Sequence, residues 1–295
     1  MRITNQLMAD LTIQRMEDGR ARLAELQAQV ASGRRIQNPS DDPALAVASL
    51  SLRSVLQSSQ AYLDTSQQTA NWLEANELAL GQMVAIGARA LDLGRSGLPS
   101  TQGAEQRQAL AQEVDGLLQQ AADTSNSTHQ GRFIFAGFSV NTKPFAYNTV
   151  TRVVDSLVAD TAGPIEHSLQ PGQSIQVNVD SRTVYQPLFA AMVSLRDALQ
   201  AQDLPGIQTS LASLETAVQQ VVFTRSTNGA RGRQVSQMME RMTQTQASIE
   251  SLLSEKEDAS LAESITRLKH QEMVYQAVLN VASRAMPASL FDYLG

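Results

Sequence analysis

LAESITRLKHQEMVYQAVLNVASRAM, residues 261–286, carries apolar side chains at alternating steps of four and three. Leu261, Ile265, Leu268, Tyr275, Leu279, Ala282 and Met286, with Glu272 interposed, therefore form one seam on a helix, at the spacing by which one helix packs on another. Beside the seam run Val274, Val278, Val281 and Ala285, so the apolar face is widest near the end of the chain. Such a helix does not stand alone in water, because most helical stability comes from burying the apolar face. No partner lies in the neighbouring sequence. The candidate is at the other terminus, where Ile3, Leu7 and Leu11 share a helical stripe. Met16, Leu23, Leu26 and Val30 continue it after a drift in phase, and Gly33 is a plausible stop. Both ends look like halves of one helical pair, with narrow faces suited to packing on further copies. The plainer alternative, in which each end packs on the core of a single domain, stays open from sequence.

Composition bounds the rest. A chain of 295 residues is about two domains by length, and only 4% of it is aromatic. Long segments rich in Ala, Gln, Leu and Ser favour slender helical bundles over one compact globule. The aromatics gather in the middle, at Phe133, Phe135, Phe138, Phe145, Tyr147, Tyr185 and Phe189, where a small core of different build is expected. A net charge of -6 without a dense Lys/Arg cluster argues against nucleic acid, whose affinity is mostly cation against phosphate. Cysteine is absent, which excludes disulfides and thiol chemistry. No run of about eighteen apolar residues could span a bilayer, so no membrane partner is expected, and Met1-Arg2-Ile3-Thr4 lacks the pattern of a cleavable secretory signal.

From the first helix the chain passes through Asn38-Pro39-Ser40-Asp41-Asp42-Pro43. Asn-Pro opens a turn, and Pro43 suits the first helical position after an Asp N-cap. A metal or acid/base role for the paired aspartates lacks a third ligand nearby. Leu52, Leu56, Ser59, Leu63, Ser66, Ala70, Leu73, Glu77, Leu80, Val84, Gly87 and Leu91 then hold the four-three step, with no proline to about Leu93. Gly97, Pro99 and Gly103 reverse the chain, and Leu110, Val114, Leu117 and Ala121 form the next helix, antiparallel to the first. From Gly131 the periodicity becomes that of strands, clearest in the alternation of Ser174-Ile175-Gln176-Val177-Asn178-Val179-Asp180. His167, flanked by Ile165 and Leu169, is expected to face solvent. Helical spacing returns at Pro187. Ser226 to Gly232 offers either a loop or a loosened helix, and Val235, Met238, Met242 and Ile249 carry the stripe on towards the terminal segment.

The expected fold is mainly α: a long antiparallel helical bundle with terminal coiled-coil helices and a small inserted β-rich domain. Its divisions are an N-terminal coiled-coil helix over 1–40, a first part of the rod over 41–130, an inserted β-rich outer domain over 131–186, a second part of the rod over 187–254 and a C-terminal coiled-coil helix over 255–295. The three histidines are far apart in the chain, and no phosphate-binding glycine loop or nucleophile elbow is present. No catalytic, cofactor or metal site is therefore expected, and an assembly subunit fits better than an enzyme.

The segment Asn38-Pro39-Ser40-Asp41-Asp42-Pro43-Ala44 resembles the stretch after the first helix of bacterial flagellins and their relatives. Gly131-Arg132-Phe133-Ile134-Phe135-Ala136-Gly137 is similar to the place where their helical domain gives way to an outer one. Ala282 to Pro287, with Leu290, resembles their closing helix. Met1-Arg2-Ile3-Thr4 and Phe291-Asp292-Tyr293-Leu294 are more similar to the hook-filament junction members of the family than to flagellin. Around Arg231 the sequence departs from the family, with Gly232 and Arg233 in place of Leu and Asn. The resemblance implies a flagellin-like rod and an adaptor ring of this chain between the first hook-associated protein and flagellin. It also implies type III export with an uncleaved N-terminal region, and a cytosolic export chaperone on the C-terminal helix. The implied assembly residues are Ile3, Leu7, Leu11, Leu23, Leu26, Leu261, Ile265, Leu268, Tyr275, Leu279, Met286 and Leu290. A flagellin filament subunit and a type III secretion tip-like coiled-coil protein are the alternatives.

Overall fold

A computed structural model describes residues 2–36, 38–99, 102–158 and 163–285. The protein is mainly α, with helices α1 (Arg2–Ser32), α2 (Pro43–Gly97), α3 (Ala104–Ser125), α4 (Ser181–Ala201), α5 (Leu204–Glu257) and α6 (Leu261–Ala285). It divides into two compact units, one of Ser58–Gln244 and one of Met1–Gln57 with Thr245–Gly295. The division falls inside α2 and α5, not at the residue 40 and 254 boundaries the sequence suggests.

In the Ser58–Gln244 unit, Leu80 and Met83 of α2, Leu118 of α3, Leu188, Met192, Leu195 and Leu199 of α4, and Leu214 and Val221 of α5 share one core. Glycine sets how closely the helices approach. A Cβ on Gly94 would lie 2.6 Å from Leu211 and 3.0 Å from Leu195, and one on Gly87 would lie 2.5 Å from Val218. The chain reversal after α2 is tied by buried Arg107, whose guanidinium donates to the Gly97 carbonyl at 2.9 Å and the Pro99 carbonyl at 3.0 Å. A cation there also meets the negative end of α2.

Between α3 and α4 the described residues form three antiparallel hairpins. They pair β1 (Thr128–His129) with β2 (Arg132–Phe133), β3 (Phe145–Asn148) with β4 (Val153–Ser156), and β5 (Glu166–Gln170) with β6 (Gln173–Gln176). A two-stranded hairpin is at best marginal in water, and each of these is held by helices. Asn126 donates to the Phe145 carbonyl and accepts from the Phe145 N–H, both at 3.0 Å. Ile134, Phe135, Phe145 and Val179 enter the helical core, where Phe135, Phe145 and Phe189 surround buried Tyr185. Leu169, Ile175 and Val177 pack with Leu73 of α2 and Val235, Met238 and Met242 of α5. The β segment, expected as a module of its own, therefore lies in the same compact unit as the helices.

Asp115 of α3 is the polar centre of this unit. It pairs with Arg152 at 2.6 Å and Arg196 at 3.1 Å, and accepts from the Tyr147 hydroxyl at 3.0 Å. Burial works to raise the Asp115 pKa, but hydrogen bonds from Arg152, Tyr147 and Arg196 outweigh it and hold the carboxyl below its usual range. One side chain thus fastens the β3–β4 hairpin to α3 and α4.

Two local expectations change, and one left open between loop and helix is decided. His167 is half-buried, its Nδ1 2.8 Å from Thr69 Oγ1. Residues two apart on a strand share a face, so the alternation with Ile165 and Leu169 turns His167 inward. Helix α4 begins at Ser181, with Pro187 inside it. Asp180 caps it by accepting from the Thr183 N–H, and the Thr183 carbonyl that loses its partner to Pro187 lies on the exposed side of the helix. Residues 226–232 are continuous helix within α5.

Candidate assembly surface

The unit built from both chain ends holds the residues singled out for assembly. Helix α1 stops where Gly33 takes the left-handed conformation, φ 68°, its N–H donating to the Gln29 carbonyl at 2.9 Å. In the turn that follows, the Asn38 N–H donates to Asp41 Oδ2 at 2.9 Å and the Asp41 N–H donates back to the Asn38 carbonyl at 3.0 Å. Asp42 accepts from the Leu45 N–H at 3.0 Å, which makes it the N-cap of α2 with Pro43 at the first helical position. Pro39 lies exposed in the turn.

The stretch after Gly33 is stitched to the link between α5 and α6. The Arg35 N–H donates to the Glu257 carbonyl at 2.7 Å, and the Ala259 N–H donates to the Gly33 carbonyl at 2.8 Å. Beside this clasp, Arg53 of α2 grips Glu257 at 2.5 Å. The Arg53 hydrogen bond lowers the Glu257 pKa, burial opposes it, and the Ser49 hydroxyl and the Arg34 charge add to the lowering. The clasp sets the start of α6 beside the end of α1, so the two helices run antiparallel and pack on each other.

Along α1 the least exposed described side chains are Thr12, Met16, Gly19, Leu23, Leu26, Ala28, Gln29 and Val30. Along α6 they are Ser264, Leu268, Gln271, Tyr275, Val278 and Ala282. From Thr12 to Val30, leaving out Ala28 and Gln29, and throughout α6, the steps alternate four and three. The contact is close where Tyr275 crosses Gly19, since a Cβ there would lie 3.2 Å from the ring.

Leu23, Leu26, Leu268 and Tyr275 thus lie on the facing sides of the pair. Leu11, Leu261, Ile265 and Leu279 do not: Leu261 is 52% exposed and Leu279 is 39% exposed. Met273, Val274 and Val281 are exposed with them, Val281 to 65%. Ile3 and Leu7 lie in α1, but their side chains, like Met286 and Leu290, are outside the described residues. Among the described residues no α1 side chain is fully buried, and on α6 only Ser264 and Ala282 are. Two helices have too little facing surface to cover so many large apolar groups: at about 100° per residue, Leu261, Ile265 and Leu279 flank the α6 seam on one side and Val274 and Val281 flank it on the other. The clasp and the Gly19–Tyr275 contact escaped the sequence reading. Opposite charges in the two links, Arg34-Arg35 and Glu257-Asp258, were the available signal.

Among the described residues no group of three or more His, Asp or Glu could hold a metal ion, and no helix is long and apolar enough to cross a membrane. The surface is built for helix packing. Its order of parts also has a counterpart among known proteins.

Residues 3–139 match the bacterial flagellin N-terminal helical region. The chain is 28% identical to flagellar hook-associated protein 3 of Salmonella typhimurium over 166 residues, 53% of this chain and 52% of that one. It therefore spans about half the length of the curated relative it matches. Two solved structures share the fold. FlgL of Bacillus cereus superposes with a TM-score of 0.61 at 17% identity, over 69% of this chain and 99% of that one. The flagellar junction protein FlgL of Legionella pneumophila superposes with a TM-score of 0.60 at 13% identity, over 72% of this chain and all of that one. The fold is thus mainly α and flagellin-like.

Proposed function

We propose that this chain is a structural adaptor of the bacterial flagellum, forming the ring that joins the hook, through the first hook-associated protein, to the flagellin filament. The observation that carries the proposal is the antiparallel pair of α1 and α6, which leaves Leu261, Ile265, Met273, Leu279 and Val281 uncovered. Terminal helices with apolar side chains left bare on both flanks of their seam are stable when neighbouring copies cover them. The similarity to hook-associated protein 3 supports this assignment over a filament subunit or a secretion-tip protein. On this reading the role is structural and no reaction is catalysed. The subunit is exported unfolded by the flagellar type III apparatus and lodges in the extracellular flagellum. Before export a cytosolic chaperone covers the apolar side of α6, an amphipathic helix laid in a groove.

Electron microscopy of a deletion strain tests the assignment. The expected picture is hooks without filaments and flagellin released into the medium, with both restored by the wild-type gene. Normal filaments on the hooks of the deletion strain would overturn it.

A further inference from the structure

Away from the terminal helices, a cavity of about 220 Å³ opens between α5 and the approach to α4, lined among others by Gln176, Asn178, Asp180, Thr183, Phe223 and Arg231. Arg231 is the anomaly in it. Its Nη2 donates to Gln176 Oε1 at 2.7 Å, and none of the ion pairs among the described residues includes it. Asp180 lines the same cavity, but its carboxylate accepts from the Thr183 N–H at 3.4 Å and from the Thr183 hydroxyl at 2.5 Å, as the cap of α4. Burial pushes the Arg231 guanidinium below its usual pKa. A partly desolvated cation held by a neutral amide is costly unless an anion completes it.

We infer that this cavity is a binding site for a carboxylate side chain of a second copy of this chain, gripped by Arg231. The planar guanidinium fork matches a carboxylate through two parallel hydrogen bonds, and one Nη2–H···O bond to Gln176 leaves donors for both. The cavity has room for one acidic side chain. Phe223, 67% exposed at its edge, offers the aliphatic stem an apolar wall. In the proposed ring each subunit has a second copy beside it, and the 29 Asp and Glu of that copy supply candidate carboxylates; the attraction is local to Arg231, since two chains of net charge -6 repel overall. The inference rests on the proposed ring, in which copies stand side by side.

Photo-cross-linking of the full-length chain in flagellated cells tests it, with benzoylphenylalanine in place of Phe223. The expected product has twice the subunit mass and contains this chain alone. Its yield falls about tenfold or more in Arg231→Gln and less in Arg231→Lys, which keeps the charge but loses the fork. Circular dichroism and the amount of exported protein control for folding. An unchanged yield in Arg231→Gln, a product containing a different protein, or no product from assembled protein would each overturn the site. Any of these alongside hooks without filaments in the deletion strain sinks the Arg231 site alone. Filaments on the hooks of that strain sink the ring, whatever the cross-link shows.

Discussion

Leu268 and Leu279 lie eleven residues apart on α6 and were equal members of one sequence seam, yet the structure gives them different duties, and substitution separates the two. Leu268 faces α1, whereas Leu279 is 39% exposed and lies with Leu261 and Ile265 on an uncovered flank of the helix. Full burial of a leucine contributes about 1.5–3 kcal/mol, so the part of Leu279 left for a neighbour to cover is worth roughly 0.6–1.2 kcal/mol per contact. Leu279→Ala should therefore weaken each subunit contact about three- to eightfold and leave the α1–α6 pair intact. Leu279→Asp adds the cost of desolvating an unpaired carboxylate, several kcal/mol, and should abolish incorporation. Leu268→Asp should separate α6 from α1 in the isolated subunit as well. Swimming halos of complemented deletion strains read the assembly, and amide hydrogen exchange of the purified chain reads the pair. A Leu279→Asp strain that swims as the wild type, with its protein recovered at the junction, would refute the reasoning.

Three further outcomes test the Ser58–Gln244 unit. Asp115→Asn strips buried Arg196 of its one buried carboxylate and should cost about 2–4 kcal/mol, less than the loss of a fully isolated pair because the more exposed Asp197 stays 2.7 Å away; urea unfolding measures it. The folded pKa of Asp115 is depressed, so this stabilisation is present above the unfolded value of about 3.9 and is lost as pH falls through the lower folded value. The wild type should therefore lose more stability on acidification than Asp115→Asn, and parallel pH profiles would contradict this. Gly94→Ala gains about 1 kcal/mol of helix propensity, but its methyl lies 2.6 Å from Leu211, and overpacking costs about 1–3 kcal/mol. A net loss in thermal stability is expected, against a gain for the same change at Gly232, where a Cβ meets nothing within 4 Å.

The helices were legible because their signals are local. The four-three spacing, Asp42-Pro43 at the start of α2 and Gly33 at the end of α1 act within a turn or two of chain. The His167 environment is local as well, because a period of two sets it on the same face as Ile165 and Leu169. The phase of α6 was not. Val274 and Tyr275, and Val278 and Leu279, are adjacent apolar residues, so two neighbouring stripes are equally greasy, and only docking on α1 selects one. That docking brings small or polar residues, Gly19 opposite Tyr275 with Ser264 and Gln271 along the α6 side, into a seam that hydrophobicity alone would have filled with Leu261, Ile265 and Leu279.

By itself, then, the sequence determined that this is a helical protein whose two ends are amphipathic and whose aromatics gather in the middle, because backbone propensity and side-chain period are written in neighbouring residues. The tertiary structure decided which face of α6 meets α1 and which is left bare. It joined the hairpins to the helical core and left Arg231 beside an amide instead of a carboxylate. These depend on contacts between residues far apart in the chain, whose energies cannot be read from spacing.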